Sequence, residues 1–255
     1  MPDLIGLIPA AGKGLRLGLP YPKELYPVIQ DNRYKPVAQF VLETLTAAGL
    51  RHMVFVVNAS KHQLIGYFGD GSRFGCHLSY VVQEHCAESS SEQCSEHRSA
   101  HRSTSPGLAH ALDSAFHLTR GKTVCFGMPD TLMTPRDVFH RLLDAARPDD
   151  DVLLGLFDAR RPEKSGMVDL DAAGRVIRIV DKPACTTLRL MWGLIVWRPV
   201  FTEYLHASGS SDFASIMNAA IQAGIRFRGV YLGGAYTDLG TYADILELEC
   251  RFPKF

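Results

Sequence analysis

The sequence predicts an α/β fold: a predominantly parallel mixed sheet with helices on both faces. Three observations predict it. Short apolar, β-branched runs recur along the chain. Helical apolar spacing lies between many of them, and strand–helix alternation is the signature of a parallel sheet covered on both sides. Loops rich in Gly, Pro and Asp follow several of the apolar runs, where open α/β sheets bind ligands.

Taken in order, Leu4 to Ile8 reads as a buried strand that runs into a Gly- and Pro-rich loop from Pro9 to Pro22. Val37 to Ala48 has Val37, Phe40, Val41, Leu45 and Ala48 on one helical face, with Gly49 as the stop signal. Met53–Val57, Leu78–Val82, Thr123–Phe126, Val152–Phe157, Val176–Val180, Leu190–Val196 and Phe227–Leu232 are further expected strands. Gly107–Leu118, Pro135–Ala146, Phe213–Ala223 and Tyr242–Cys250 are expected helices. His85 to Pro106 breaks the pattern, with seven serines and no Val, Ile, Leu, Met, Phe, Trp or Tyr. Such a segment cannot join a core and is expected to be disordered. Cys86, Cys94, His97 and His101 within it are a weak zinc-ligand pattern; its place in the chain also suggests a lid.

The chain of 255 residues balances 27 Lys and Arg against 27 Asp and Glu. Neutrality argues against coating nucleic acid or an anionic membrane. No apolar run is long enough for a transmembrane helix, and Met1-Pro2-Asp3-Leu4 does not open like a signal peptide. The six cysteines are scattered without a CxxC pair, which reads as free thiols in a reducing cytoplasm. The length suits one large domain or two small ones, and the expectation is a single domain, residues 1–255, with halves at 1–130 and 131–255 and a polar insert at 85–106.

The first loop is the most informative segment. It reads Pro9-Ala10-Ala11-Gly12-Lys13-Gly14-Leu15-Arg16-Leu17-Gly18 and leads to Pro20-Tyr21-Pro22-Lys23-Glu24-Leu25. Small residues let backbone N–H groups approach an anion, and Lys13, Arg16 and Lys23 add cationic donors. Polyphosphate is the ligand this composition suits. The glycine spacing and the prolines do not match a dinucleotide fingerprint, and no Walker-type P-loop is present.

The same residues resemble the signature of nucleotidylyltransferases that activate sugar 1-phosphates, and Pro22-Lys23-Glu24-Leu25 resembles the uridylyltransferase branch. Similarity continues in order through Phe68–Gly75 with Leu78–Gln83, through Pro106–Ala111, Phe126–Asp130 and Val180–Pro183, and through Thr237–Thr241. These blocks span roughly residues 3 to 250, so their series is specific although each alone is weak. The resemblance implies a Rossmann-like nucleotidyltransferase fold. It implies a reaction in which a sugar 1-phosphate oxygen attacks the α-phosphorus of a nucleoside triphosphate and expels pyrophosphate. That oxygen is already anionic, so the demands are positioning and charge stabilisation.

It also implies roles. Arg16, Lys23 and Lys182 would hold the phosphates. Ala10, Ala11, Gly12, Gly14, Gln83, Gly107 and Asp130 would bind the nucleotide, with Gln83 reading a pyrimidine edge and favouring UTP or dTTP. Gly166, Asp181, Trp192 and Gly193 would bind the sugar. Asp130 and Asp238 would be the carboxylates for Mg²⁺. The expected partners are a nucleoside triphosphate and a sugar 1-phosphate, with no nucleic acid and no membrane, and assembly as a homo-oligomer stays open. Leu15, Asp181 and Leu190-Met191-Trp192-Gly193 depart from the pattern and leave the sugar open. Two alternatives stand beside this reading: a cytidylyltransferase with a non-sugar phosphate or phosphonate acceptor, and a non-catalytic nucleotide-sugar sensor.

Overall fold

The computed structural model describes residues 3–30, 33–83 and 107–251; the expected insert at 85–106 lies outside them. The first strand, β1 (Leu4–Pro9), sits at the centre of the sheet because its buried pattern leaves no polar face. It pairs in parallel with β4 (His52–Val57) on one side and β6 (Thr123–Gly127) on the other. β5 (His77–Val82) adds in parallel to β4. The chain therefore builds outward from β1 in one direction, then returns to the opposite side of β1 with β6. The strand order reverses there, and the crevice beyond the carboxyl ends of β1 and β6 is where this architecture binds ligands.

The second half attaches through β11 (Leu190–Trp197), antiparallel to β6. β8 (Val152–Asp158) pairs with β11, and β12 (Phe227–Tyr231) pairs in parallel with β8. β9 (Gly166–Leu170) and β10 (Val176–Asp181) form a hairpin at the edge, in the order β10-β9-β11-β6-β1-β4-β5. The expected mixed α/β sheet is therefore present, its antiparallel character concentrated around β11. Two small antiparallel pairs lie outside it: β2 (Pro27–Gln30) with β3 (Arg33–Pro36), and β7 (Thr131–Thr134) with β13 (Ala235–Asp238).

Helices cover both faces. α1 (Val37–Ala47), α2 (His62–Phe68) and α5 (Val138–Asp144) bury Val41, Leu64, Phe68 and Phe139 against one face. α3 (Leu108–Ser114), α6 (Pro199–Ser208) and α7 (Phe213–Gln222) bury Leu112, Phe201, Phe213 and Met217 against the other. β6 shows the alternation that serves both layers: Val124 and Phe126 enter the second core and Cys125 the first. A third, smaller core joins Leu17 of the first loop to Leu239, Ile245 and Leu248, and so docks α8 (Tyr242–Arg251) on that loop.

Some boundaries differ from the sequence expectation. The helix expected over 107–118 divides into α3 and α4 (Phe116–Thr119) at Ala115, whose N–H reaches the carbonyls of Leu112 and Asp113. α5 starts at Val138 rather than Pro135, because 131–134 is committed to pairing with β13. α2, α6, β9 and the short β pairs were not anticipated. All but α6 span seven residues or fewer, too short to show a period on their own.

Candidate active site

The loop after β1, the loop after β6 and the entry to α8 enclose a cleft of about 370 Å³. Its walls include Ala11, Gly12, Gly14, Arg16, Lys23, Gln83, Gly107, Asp130 and Gly240. The first loop is held at its base. Ala10 N–H donates to the Val56 carbonyl at 2.7 Å, and the Asn58 amide donates to the Ala11 carbonyl at 2.7 Å. Gly14 and Gly18 adopt φ of +67° and +53°, left-handed conformations in which a side chain would be strained. Gly12 faces open space, so packing does not require a glycine there; close approach of a ligand would.

Lys23 opens a single 3₁₀ turn, Lys23–Leu25, between extended Pro22 and Tyr26. Its stem runs past Gly14, and its ammonium donates to Asp130 Oδ2. Burial alone would push the lysine down. The Asp130 carboxylate outweighs that and holds it above its ordinary value. Asp130 follows β6 in a tight turn, and its other oxygen, Oδ1, is buried without a hydrogen-bond partner.

Asp238 is brought to the same place by β13, where it stands opposite Thr131. The Leu239 N–H then donates to the Asp130 carbonyl at 2.8 Å. Capping of α8 falls to Thr241, which exchanges hydrogen bonds with Asp244, so Asp238 is not used as a helix cap. By surface area Asp238 is exposed and lies beside Asp130 rather than in the cleft wall, yet protein crowds it on the other sides. That crowding, followed by the neighbouring Asp130 charge, pushes its carboxyl up to about 7, with Lys23 opposing. A carboxylate with an unpartnered buried oxygen beside a second carboxylate under charge repulsion fits a small divalent cation. Asp130 and Asp238 are the residues that would hold it. Among the described residues, no larger cluster of metal-ligating side chains occurs.

Arg16 lines the cleft, with a guanidinium nitrogen 3.9 Å from where a Cβ on Gly240 would stand. Tyr242 of α8 donates to the Leu17 carbonyl and fixes that stretch of loop. Gln83 is buried, and its amide nitrogen meets Nδ1 of His110 on α3. Gly107 caps α3 where a Cβ would stand 2.2 Å from the Ser211 carbonyl oxygen.

The remaining expected residues form a neighbouring group rather than part of the cleft wall. Gly166 and Asp181 are register partners in the β9–β10 hairpin, and Trp192 packs its indole over Gly166. In β11, Trp192 and Gly193 immediately precede Leu194, which pairs with Gly127, and Met128 and Pro129, which follow Gly127, line the cleft. Trp192 rests 6.2 Å from the Phe126 ring and 6.1 Å from Phe213, and its indole nitrogen is buried without a partner. Gly193 lies against Tyr236 and Phe157, whose rings leave no room for a side chain. Lys182 follows directly with φ of +45°, unusual for lysine, and pairs with Asp181 at 2.7 Å.

Asn58, Lys61, Glu24 and His110 complete the site and were missed in the sequence. Asn58 and Lys61 follow a predicted strand, the only signal that could have flagged them. Their significance lies in partners up to 47 residues away.

Residues 5–254 match the family described as Nucleotidyl transferase. The chain is 27% identical over 260 residues to a glucose-1-phosphate thymidylyltransferase of Streptomyces griseus, covering 95% of this chain and 64% of that protein. It is 22% identical over 245 residues to a UTP–glucose-1-phosphate uridylyltransferase of Synechocystis sp., covering 93% and 60%. The chain thus spans about three fifths of the length of these curated relatives. A candidate glucose-1-phosphate thymidylyltransferase of Bacillus anthracis, solved in complex with a sucrose, superposes with a TM-score of 0.80 at 19% identity, covering 99% of this chain and 97% of that one. That likeness establishes the Rossmann-like fold.

Proposed function

Because the chain belongs to the nucleotidyl transferase family, we propose that it joins a nucleoside triphosphate to a sugar 1-phosphate and releases pyrophosphate. One observation carries the reading. Lys23 and Asp130, which are 107 residues apart, are paired in the cleft beyond β1 and β6, and one Asp130 oxygen is left buried and unpartnered.

The roles follow from the chemistry of each group. Gly12 and Gly14 let the backbone approach the triphosphate, and Arg16 and Lys23 neutralise the departing pyrophosphate. Asp130 and Asp238 would hold Mg²⁺, which when bound screens the charge of the triphosphate. Lys182 takes the phosphate of the sugar 1-phosphate; its left-handed backbone supports a functional role, since such strain concentrates where a side chain must be aimed. Gly166, Asp181, Trp192 and Gly193 form the sugar end. Gln83, its amide nitrogen engaged by His110, keeps Oε1 to accept the N3–H of uracil or thymine. Cytosine has no hydrogen there, so UTP or dTTP is favoured.

The test is pyrophosphate release across five nucleotides and a panel of sugar 1-phosphates, with Mg²⁺ and with EDTA. Release with UTP or dTTP that EDTA abolishes is the expected result. No release from any pair would overturn the reading, and strict CTP use would overturn the base assignment.

A further inference from the structure

Glu24 is fully buried, although its neighbour Lys23 is only partly covered. Its Oε2 accepts from Lys61 Nζ at 2.6 Å, and the two side chains are 1% and 3% exposed. Its Oε1 is buried without a hydrogen-bond partner, and the residue lines the cleft. An ion pair this far from water adds little stability over packed apolar residues, so its presence beside the cleft calls for another account.

Lys61 ends a four-residue segment after β4. Its N–H donates to the Asn58 carbonyl at 3.0 Å. Asn58 Oδ1 accepts from the N–H and the hydroxyl of Ser60, at 2.9 and 2.6 Å, and its amide donates to the Ala11 carbonyl. Residues 58–61 therefore grip the glycine loop at Ala11 and the lysine turn at Glu24 at the same time.

The charges explain why that grip is ionic. Lys23 is attracted by both Asp130 and Glu24. A buried Glu24 without a cation of its own would compete for the Lys23 ammonium and draw it away from Asp130. Lys61 engages Glu24 Oε2, while Lys23 stays on Asp130. We infer that the buried Lys61–Glu24 pair is a positioning device that commits Lys23 to Asp130 and the triphosphate end of the cleft. Its kinetic consequence rests on the nucleotidyl-transfer reading; its structural consequence does not.

The test compares Lys61→Met with the double variant Glu24→Met/Lys61→Met. In Lys61→Met the crystal structure should show Lys23 drawn from Asp130 toward Glu24. Its kcat should fall about tenfold or more, while KM for the sugar phosphate stays within about twofold. The double variant removes the competitor, so Lys23 should return to Asp130 and kcat should recover about fivefold or more. A role in folding alone would lower Tm without this order of kcat values. If Lys61→Met does not fold, Lys61→Gln still donates to Glu24 without a charge and makes the same comparison. Lys23 remaining on Asp130 in the single variant overturns the inference, as does an unchanged kcat. If the wild-type protein turns over no substrate, the activity reading fails and the Lys23 position alone decides the inference.

Discussion

Lys23→Met isolates the ammonium at the centre of the cleft. The methionine stem reproduces the run of carbons past Gly14, which stand 3.7 to 3.9 Å from the site of a Cβ there, so packing is largely kept. What disappears is the cation facing Asp130. Breaking a buried pair by removing one partner typically costs about 3–5 kcal/mol. Here the side chains keep 16% and 9% exposure, so solvent can reach the stranded carboxylate and the cost should fall to about 2–3 kcal/mol. Turnover loses a charge-assisted contact of about 1.5–3 kcal/mol, which corresponds to about 10- to 150-fold in rate at 1.4 kcal/mol per decade. Urea unfolding followed by circular dichroism reads the first quantity, and pyrophosphate release at saturating substrates reads the second. A variant with kcat within threefold of wild type would refute the assignment of Lys23 to the triphosphate. An unchanged unfolding free energy would refute the view that Asp130 depends on it.

Three further outcomes are expected. Asp238, raised to about 7 without metal, binds its proton more tightly folded than unfolded; the metal-free protein should therefore lose stability as pH rises from about 4 toward 7. Urea midpoints in EDTA should show that slope, and Asp238→Asn should flatten it; equal slopes would contradict the assignment. Asp150 runs the opposite way. Burial would raise its carboxyl, but two hydrogen bonds from Arg228, at 2.8 and 2.6 Å, outweigh it and hold the group below its ordinary value. Asp150→Ala should cost about 3 kcal/mol at pH 7, and the difference from wild type should vanish as pH falls through the acid range, since the native pair is then lost as well; a pH-independent difference in unfolding free energy would argue against the pair. Gly107→Ala would set a Cβ 2.2 Å from the Ser211 backbone carbonyl oxygen. A cost of about 1–3 kcal/mol and a higher nucleotide KM are expected, and an unchanged thermal midpoint would contradict the close approach.

The sequence by itself determined the parts governed by local rules. Ile5–Pro9 is buried, and the apolar run Leu4–Ile8 identified a buried strand without any partner in view. The glycines, prolines and lysines of residues 9–25 pointed to a loop suited to an anion because backbone freedom and charge are local properties. Asp130 and Asp238 were legible as loop carboxylates after apolar runs, and the tertiary structure joins them through the β7–β13 pair. What only the tertiary structure decided are pairings between distant residues. That Lys61 belongs to Glu24, that Asn58 holds Ala11, and that His110 engages Gln83 depend on which loops the sheet brings to one end. The same holds for Trp192 and Gly193, whose neighbours come from β9, α7 and β13. Periodicity records which face of an element is buried, but not what lies against it. The stability and aim of a buried charge depend on the partner it meets, and only the folded chain supplies that partner.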